Sequence, residues 1–199
     1  FHLVLLAENL TGWKNLLKLS SDSYIQGFYY RPRMDRSTLE QWGDGLIAIN
    51  GHLGSSIAHH LTRYVQSHDE KNYQAALDEA RWHAQVFKPN EKGEPRFYLE
   101  LQRHGIPEQD AINPLIQKMA GELGLPLVAD NDAHFLLADD HDSHDTLICI
   151  SMGKTKDVEN RLHYSPELYV KDPGQMAELF PDVPEAIENT LKIADRCDV

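Results

Sequence analysis

Four short apolar runs, separated by stretches long enough for one or two helices each, restrict this chain to a small set of folds. They fall near residues 3 to 7, 45 to 50, 97 to 102 and 126 to 131. Each is too short for a helix and is bounded by polar or turn-forming residues, so each is read as a buried strand. Strands that alternate with helices predict an α/β fold with a mainly parallel sheet or barrel. Side chains that carry chemistry are then expected at one rim, beyond the carboxyl ends of the strands.

The fourth run is the most informative. Leu127, Val128 and Ala129 suit a strand covered on both faces, and the chain then turns abruptly to Asp130-Asn131-Asp132-Ala133-His134. If the extended conformation persists, Asp132 and His134 leave the backbone on the same side and can converge on one cation. A hard carboxylate oxygen with an imidazole nitrogen suits zinc or manganese better than calcium. The same residues also read as turn formers and helix caps. Asp139, Asp140, His141, Asp142, His144 and Asp145 follow closely, although acids there also suit the start of a helix through Leu147 and Ile148. His141 and His144 therefore rank below His134.

Other strand ends add candidates. His52 follows the second strand in a small-residue turn, Gly51-His52-Leu53-Gly54, and reads either as a ligand or as a turn histidine bonded to a backbone carbonyl. Glu100 lies inside the third strand, where an unpaired charge is costly, so it faces the active-site end or pairs with a cation. His2 precedes its strand and reaches the common rim only if that strand runs antiparallel to its neighbours or the rim folds over. The loop Gly27-Phe28-Tyr29-Tyr30-Arg31-Pro32-Arg33 reads as a lid packed over the barrel edge, with Arg31 and Arg33 as candidate contacts to a phosphate backbone.

The helices follow from periodicity and caps. Thr11 is expected to cap a helix through Leu16, Leu17 and Leu19, and Asp35 or Ser37 a short one ending near Trp42. A helix holding His59 and His60 ends near His68, and another runs from about Tyr73 to Phe87. Pro107 opens a helix with Ile112, Ile116, Met119 and Ala120 on its apolar face, and Pro114 is expected to kink it. Leu147 to Met152 completes a helix that Gly153 ends, and residues 156 to 172 read as irregular. Asp182-Val183-Pro184-Glu185 reads as a capping box before a last helix through Ile187, Leu191 and Ala194. Gly153-Lys154-Thr155 lacks the earlier glycine of a phosphate loop and follows a helix, so it carries no nucleotide-binding reading.

Composition excludes several classes. The chain has 199 residues, 41% of them hydrophobic, enough for one sizeable core and too apolar for disorder. No apolar run approaches membrane-spanning length, so no membrane partner is expected. Two cysteines far apart in sequence fit a reducing compartment, with the cytoplasm as default. A net charge of −12 argues against nucleic acid held on a broad basic face, so a phosphate substrate would need metals, helix ends or a few local cations. Eleven histidines are the one compositional hint of a metal site.

Taken together, several blocks in order resemble the PHP (polymerase and histidinol phosphatase) domain, in the branch built into bacterial replicative DNA polymerases. They include His2-Leu3-Val4-Leu5-Leu6-Ala7, Thr11-Gly12, Gln26-Gly27-Phe28-Tyr29-Tyr30 and Gly45-Leu46-Ile47. Further on come Phe97-Tyr98-Leu99-Glu100-Leu101-Gln102, Gly105-Ile106-Pro107-Glu108-Gln109, Asn131-Asp132-Ala133-His134 and Glu178-Leu179-Phe180-Pro181-Asp182-Val183-Pro184-Glu185-Ala186. The resemblance spans the chain. It implies part of a distorted seven-stranded β/α barrel, with residues 1 to 199 the later two thirds of the domain and the polymerase region absent.

The resemblance also implies up to three zinc- or manganese-type ions, with ligands at His2, His52, Asp132 and His134. Glu100 and His144 would stand behind those ligands. His52 departs from the commoner cysteine at its position, an exchange between two competent zinc ligands. The family's opening His-x-His, the Asp and His after it and a bridging Glu have no counterpart here, so this piece is not expected to be active alone. The implied activity is metal-dependent removal of nucleotides from a DNA 3′ end, with DNA and other replisome subunits as partners of the full-length polymerase. A non-catalytic scaffold and a free-standing PHP phosphoesterase are the competing readings, and retention of four ligand-type residues favours the enzyme.

Overall fold

Strand parity sorts the core into two layers. The computed structural model describes all of residues 1–199. Its elements in order are β1 (Val4–Ala7), α1 (Leu10–Ile25), α2 (Arg36–Trp42), β2 (Leu46–Asn50), α3 (Ser56–Ser67), α4 (Glu70–Val86), β3 (Phe97–Leu101), α5 (Pro107–Leu123), β4 (Leu127–Ala129), α6 (His141–Met152), α7 (Pro173–Leu179) and α8 (Pro184–Arg196). The strands form one four-stranded sheet in sequence order. Successive side chains on a strand point to opposite faces. Leu46, Ala48, Phe97, Leu99, Leu101, Leu127 and Ala129 thus meet Ile57, Leu61, Leu77, Ile112 and Ile116 of α3, α4 and α5 in the main core. On the opposite face Ile47, Tyr98 and Val128 pack against Ile193 of α8.

The pairing is mixed. Both β2–β3 and β3–β4 are parallel, whereas β1 runs antiparallel to β2, with Val4 opposite Ile49 and Ala7 opposite Leu46. A mainly parallel α/β sheet is therefore present, with β1 and β4 at its edges. Strand β4 ends at Ala129, two residues short of the expected span, because Asp132 takes a left-handed backbone (φ 45°).

Several local expectations are corrected. Asn9, not Thr11, caps α1: its side-chain oxygen accepts from the amides of Thr11 and Gly12, both at 3.0 Å. The helix then continues to Ile25, past the Leu16–Leu19 stripe. Asp35 caps α2, as one of the two readings had it. Asp182 does not cap α8, because Arg103 takes its carboxylate in two bonds of 2.7 and 2.8 Å and holds its pKa down at about 2. Pro184, which has no N–H to satisfy, opens α8 instead. Pro114 lies inside α5, which runs on to Leu123, and α7 is a helix beyond those expected. The aromatic loop is not a packed lid, since Phe28, Tyr29 and Tyr30 are 55%, 63% and 82% exposed.

One contact between α1 and the start of β2 leaves no room for a side chain. A Cβ on Gly12 would stand 1.8 Å from the carbonyl oxygen of Gly45, itself in a left-handed conformation. Gly12→Ala must push α1 off the sheet, at a cost of about 1–3 kcal/mol. Faster amide hydrogen exchange along α1, with α5 unaffected, is the expected reading.

Candidate metal centre

Reversal of β1 is what brings His2 to the rim. Its start stands beside the carboxyl end of β2, and the His2 amide donates to the Gly54 carbonyl at 2.9 Å. The His2 and His52 rings lie 4.9 Å apart, centre to centre. His52 Nε2 is 3.5 Å from Asp132 Oδ2, and His134 Nδ1 is 3.9 Å from Asp132 Oδ1. The four residues singled out in the sequence are thus neighbours in space, one to the next: His2 to His52, His52 to Asp132, Asp132 to His134.

Each turn is shaped locally. A Cβ on Gly51 would fall 2.3 Å from the Glu100 carbonyl oxygen, so a glycine lets the His52 turn lie against β3. Asp132 and His134 do not converge by extended alternation. The left-handed Asp132, a conformation that aspartate tolerates better than most residues, folds the chain back so that His134 Nδ1 lies 2.6 Å from the Asp132 carbonyl. The loop is then fastened from outside: the His134 amide donates to Leu168 and Asn131 Nδ2 to Tyr169, at 2.7 and 2.6 Å. Residues 165 to 170, inside the irregular stretch, therefore hold the candidate ligand loop.

Hydrogen bonding assigns the ring protons. His134 Nδ1–H donates to Asp132, leaving Nε2 with a free lone pair, the arrangement a metal-binding histidine needs. His52 is different. The Gly54 amide donates to His52 Nδ1 at 2.8 Å, which puts the proton of the neutral ring on Nε2, toward Asp132. His52 is thus a turn histidine bonded to a backbone N–H, not to a carbonyl, and an ion bound through Nε2 must displace that proton. Burial, then the neighbouring His52, pulls the His2 pKa down, which keeps that ring neutral and able to donate its lone pair.

Behind the imidazoles stand carboxylates without a cation. Glu100 is 3% exposed, accepts from the His52 amide at 3.3 Å, and has its pKa pushed up to about 8 by burial and by the adjacent Asp130. The only ion-pair partners of Asp132 are His52 and His134. Of the two readings of Glu100, it is the rim position and not a cation partner that holds. Three acid side chains, Glu100, Asp130 and Asp132, have no lysine or arginine bonded to them, and burial leaves Glu100 mostly protonated at neutral pH; hard oxygens beside imidazoles suit a divalent ion, which would favour loss of that proton. The donor chemistry fits such an ion, but the cage is incomplete: no three His, Cys, Asp or Glu side chains are grouped to hold one.

Other candidates fall away from this cluster or at its margin. His144 packs against His134 at 6.0 Å between ring centres, and its Nδ1 is buried without a partner. His141 bonds the Tyr164 carbonyl. Arg33 donates to the Tyr29 carbonyl and lies over the Tyr29 ring, and nothing links it or Arg31 to the rim. Sequence reading missed Gln102, His104, Gln109 and Asn131. The signal was the dense polar run 100 to 104 beside a buried strand, with a glutamine one turn into the next helix.

Residues 1–104 match the family described as "PHP domain". This chain belongs to the PHP domain family. Over its whole length it is similar to the DNA polymerase III subunit alpha of Borreliella burgdorferi (44% identity over 199 residues) and of Campylobacter jejuni (41% over 203 residues). It is likewise similar to that of Thermus aquaticus, at 36% over 203 residues. The chain spans about 16% of the length of these relatives. No helix is long and apolar enough to cross a membrane.

Proposed function

We propose that this chain is part of the PHP domain of a bacterial replicative DNA polymerase, the alpha subunit of DNA polymerase III. On this reading the four-stranded sheet is an arc of a β/α barrel whose rim is a metal-dependent 3′-to-5′ exonuclease site. DNA and replisome subunits are its partners, in the cytoplasm. The observation that carries the reading is the rim itself: His2, His52, Asp132 and His134 stand together with two further acids, Glu100 and Asp130, behind them, and no lysine or arginine bonds any of the three acids. His2, His134 and Asp132 would hold zinc or manganese, His52 joining after loss of its Nε2 proton, with the remaining ligands from outside this chain. Such ions supply an activated water and stabilise charge on a phosphoryl group. The chain's own part is to orient those donors, through the Gly51 turn and the left-handed Asp132, at one end of the sheet.

The test uses the full-length polymerase. Elemental analysis is expected to find bound divalent metal, and a 3′-labelled primer should lose nucleotides in a reaction that a chelator stops. A second reading has its own support: with Nε2–H of His52 turned to Asp132 and no closed donor set, the domain could serve as a metal-free scaffold. Absence of both metal and 3′ degradation in the intact protein would favour it.

A further inference from the structure

Beneath the rim runs a buried ladder of side-chain hydrogen bonds whose direction is fixed at every step. His104 (3% exposed) has Nε2 2.9 Å from the Asn131 carbonyl, so that nitrogen carries the proton and Nδ1 must accept. Gln109 answers with its amide nitrogen on His104 Nδ1 at 3.0 Å and its oxygen on the His104 backbone amide at 3.0 Å. The second hydrogen of that nitrogen goes to Gln102 Oε1 at 3.1 Å. Gln102 is left with its own amide nitrogen facing two carboxylates, Glu100 Oε1 at 2.6 Å and Asp130 Oδ2 at 3.3 Å. Those carboxylates end the ladder on backbone: Glu100 accepts the His52 amide, and Asp130 the Asp132 amide at 3.0 Å.

We propose that Gln102 is a positioning residue that ties the His52 turn to the Asp132 turn by bridging Glu100 and Asp130. No other side chain bonds both carboxylates, and one planar amide sets their separation. The far end of the ladder, through His104 to Asn131, holds the Asp132 turn from its other side. That the two turns carry metal ligands rests on the function proposed above; that they are mechanically joined does not.

Gln102→Leu in the full-length polymerase keeps the volume and removes both donors. Amide exchange by mass spectrometry, on metal-free protein, should rise about tenfold at residues 51–54 and 130–134 together, with β1 and α3 unchanged. Mn²⁺ binding, followed by the free-ion electron paramagnetic resonance signal, should weaken by about 10–100-fold, the range for groups that orient metal ligands. Gln102→Asn, which keeps the amide in the core but is one methylene too short to span, should change the same two turns to a smaller extent and serves if the leucine variant does not fold. Exchange that rises across the whole sheet, at one turn only, or at neither would overturn the coupling. If the unaltered polymerase binds no Mn²⁺, the ligand reading fails while the exchange result still decides the coupling.

Discussion

Asp132→Asn is expected to weaken divalent-ion binding at the rim by about 100-fold or more, beyond the loss typical of groups that only orient ligands. Asparagine suits the test because it accepts the left-handed backbone that Asp132 adopts, so the fold-back that presents His134 survives and the charge alone is lost. The remaining amide oxygen can still take the hydrogen of His52 Nε2, now 3.5 Å away, so the turn histidine keeps its partner. Removal of nucleotides from a labelled 3′ end should fall in parallel. Metal titration and 3′-end degradation by the full-length variant, with circular dichroism to confirm folding, check both halves. Unaltered metal affinity would remove Asp132 from the ligand set.

The second large effect lies at the opposite end of the sheet. Glu8, 7% exposed, receives Arg96 Nε at 2.5 Å, Arg196 Nη2 at 2.6 Å and Asn90 Nδ2 at 2.9 Å, joining β1, the approach to β3 and the end of α8. Glu8→Ala leaves Arg196 with two neutral acceptors, the Pro95 carbonyl and the Tyr98 hydroxyl, and no carboxylate nearer than Glu94 at 3.8 Å, while Arg96 keeps Asp44 at 3.0 Å. Stranding a largely buried guanidinium in this way costs about 3–5 kcal/mol. Burial alone would raise the Glu8 pKa, but the bonds from Arg196, Arg96 and Asn90 outweigh it and the net shift is downward. A carboxyl with a depressed folded pKa contributes stability that is complete above its unfolded value, here 4.5, and is lost as pH falls through the folded one. Amide exchange in β1 and α8 should therefore quicken below about pH 4.5 in the unaltered protein. In the variant it should be fast already at neutral pH, with little further response to acid.

How much of this was legible in the sequence depended on whether a feature is local. Short continuous apolar runs placed β2 and β3 well, because burial on both faces is written into Leu46 to Asn50 and Phe97 to Leu101. The candidate ligands were found because residue type and strand ends are both visible in one dimension. The direction of β1 was not, since antiparallel pairing is decided by β2 across forty residues. Nor was the route by which Asp132 meets His134, where a backbone inversion replaced simple extension. Caps failed where a competitor intervened: Asn9 stood two residues closer to the helix start than Thr11 allowed, and Arg103 claimed Asp182 from seventy-nine positions away. The glutamine ladder was invisible because amides announce nothing until their partners are fixed in space.

The antiparallel first strand has one more consequence. His2 shares the parity of Val4 and Leu6, so a single residue inserted between it and Ala7 would rotate the imidazole toward the helical layer and set an aliphatic group in its place. Substitutions along this segment are thus far more tolerable than a change in its count, and natural variation among kin should spare its length while freely exchanging its aliphatic members.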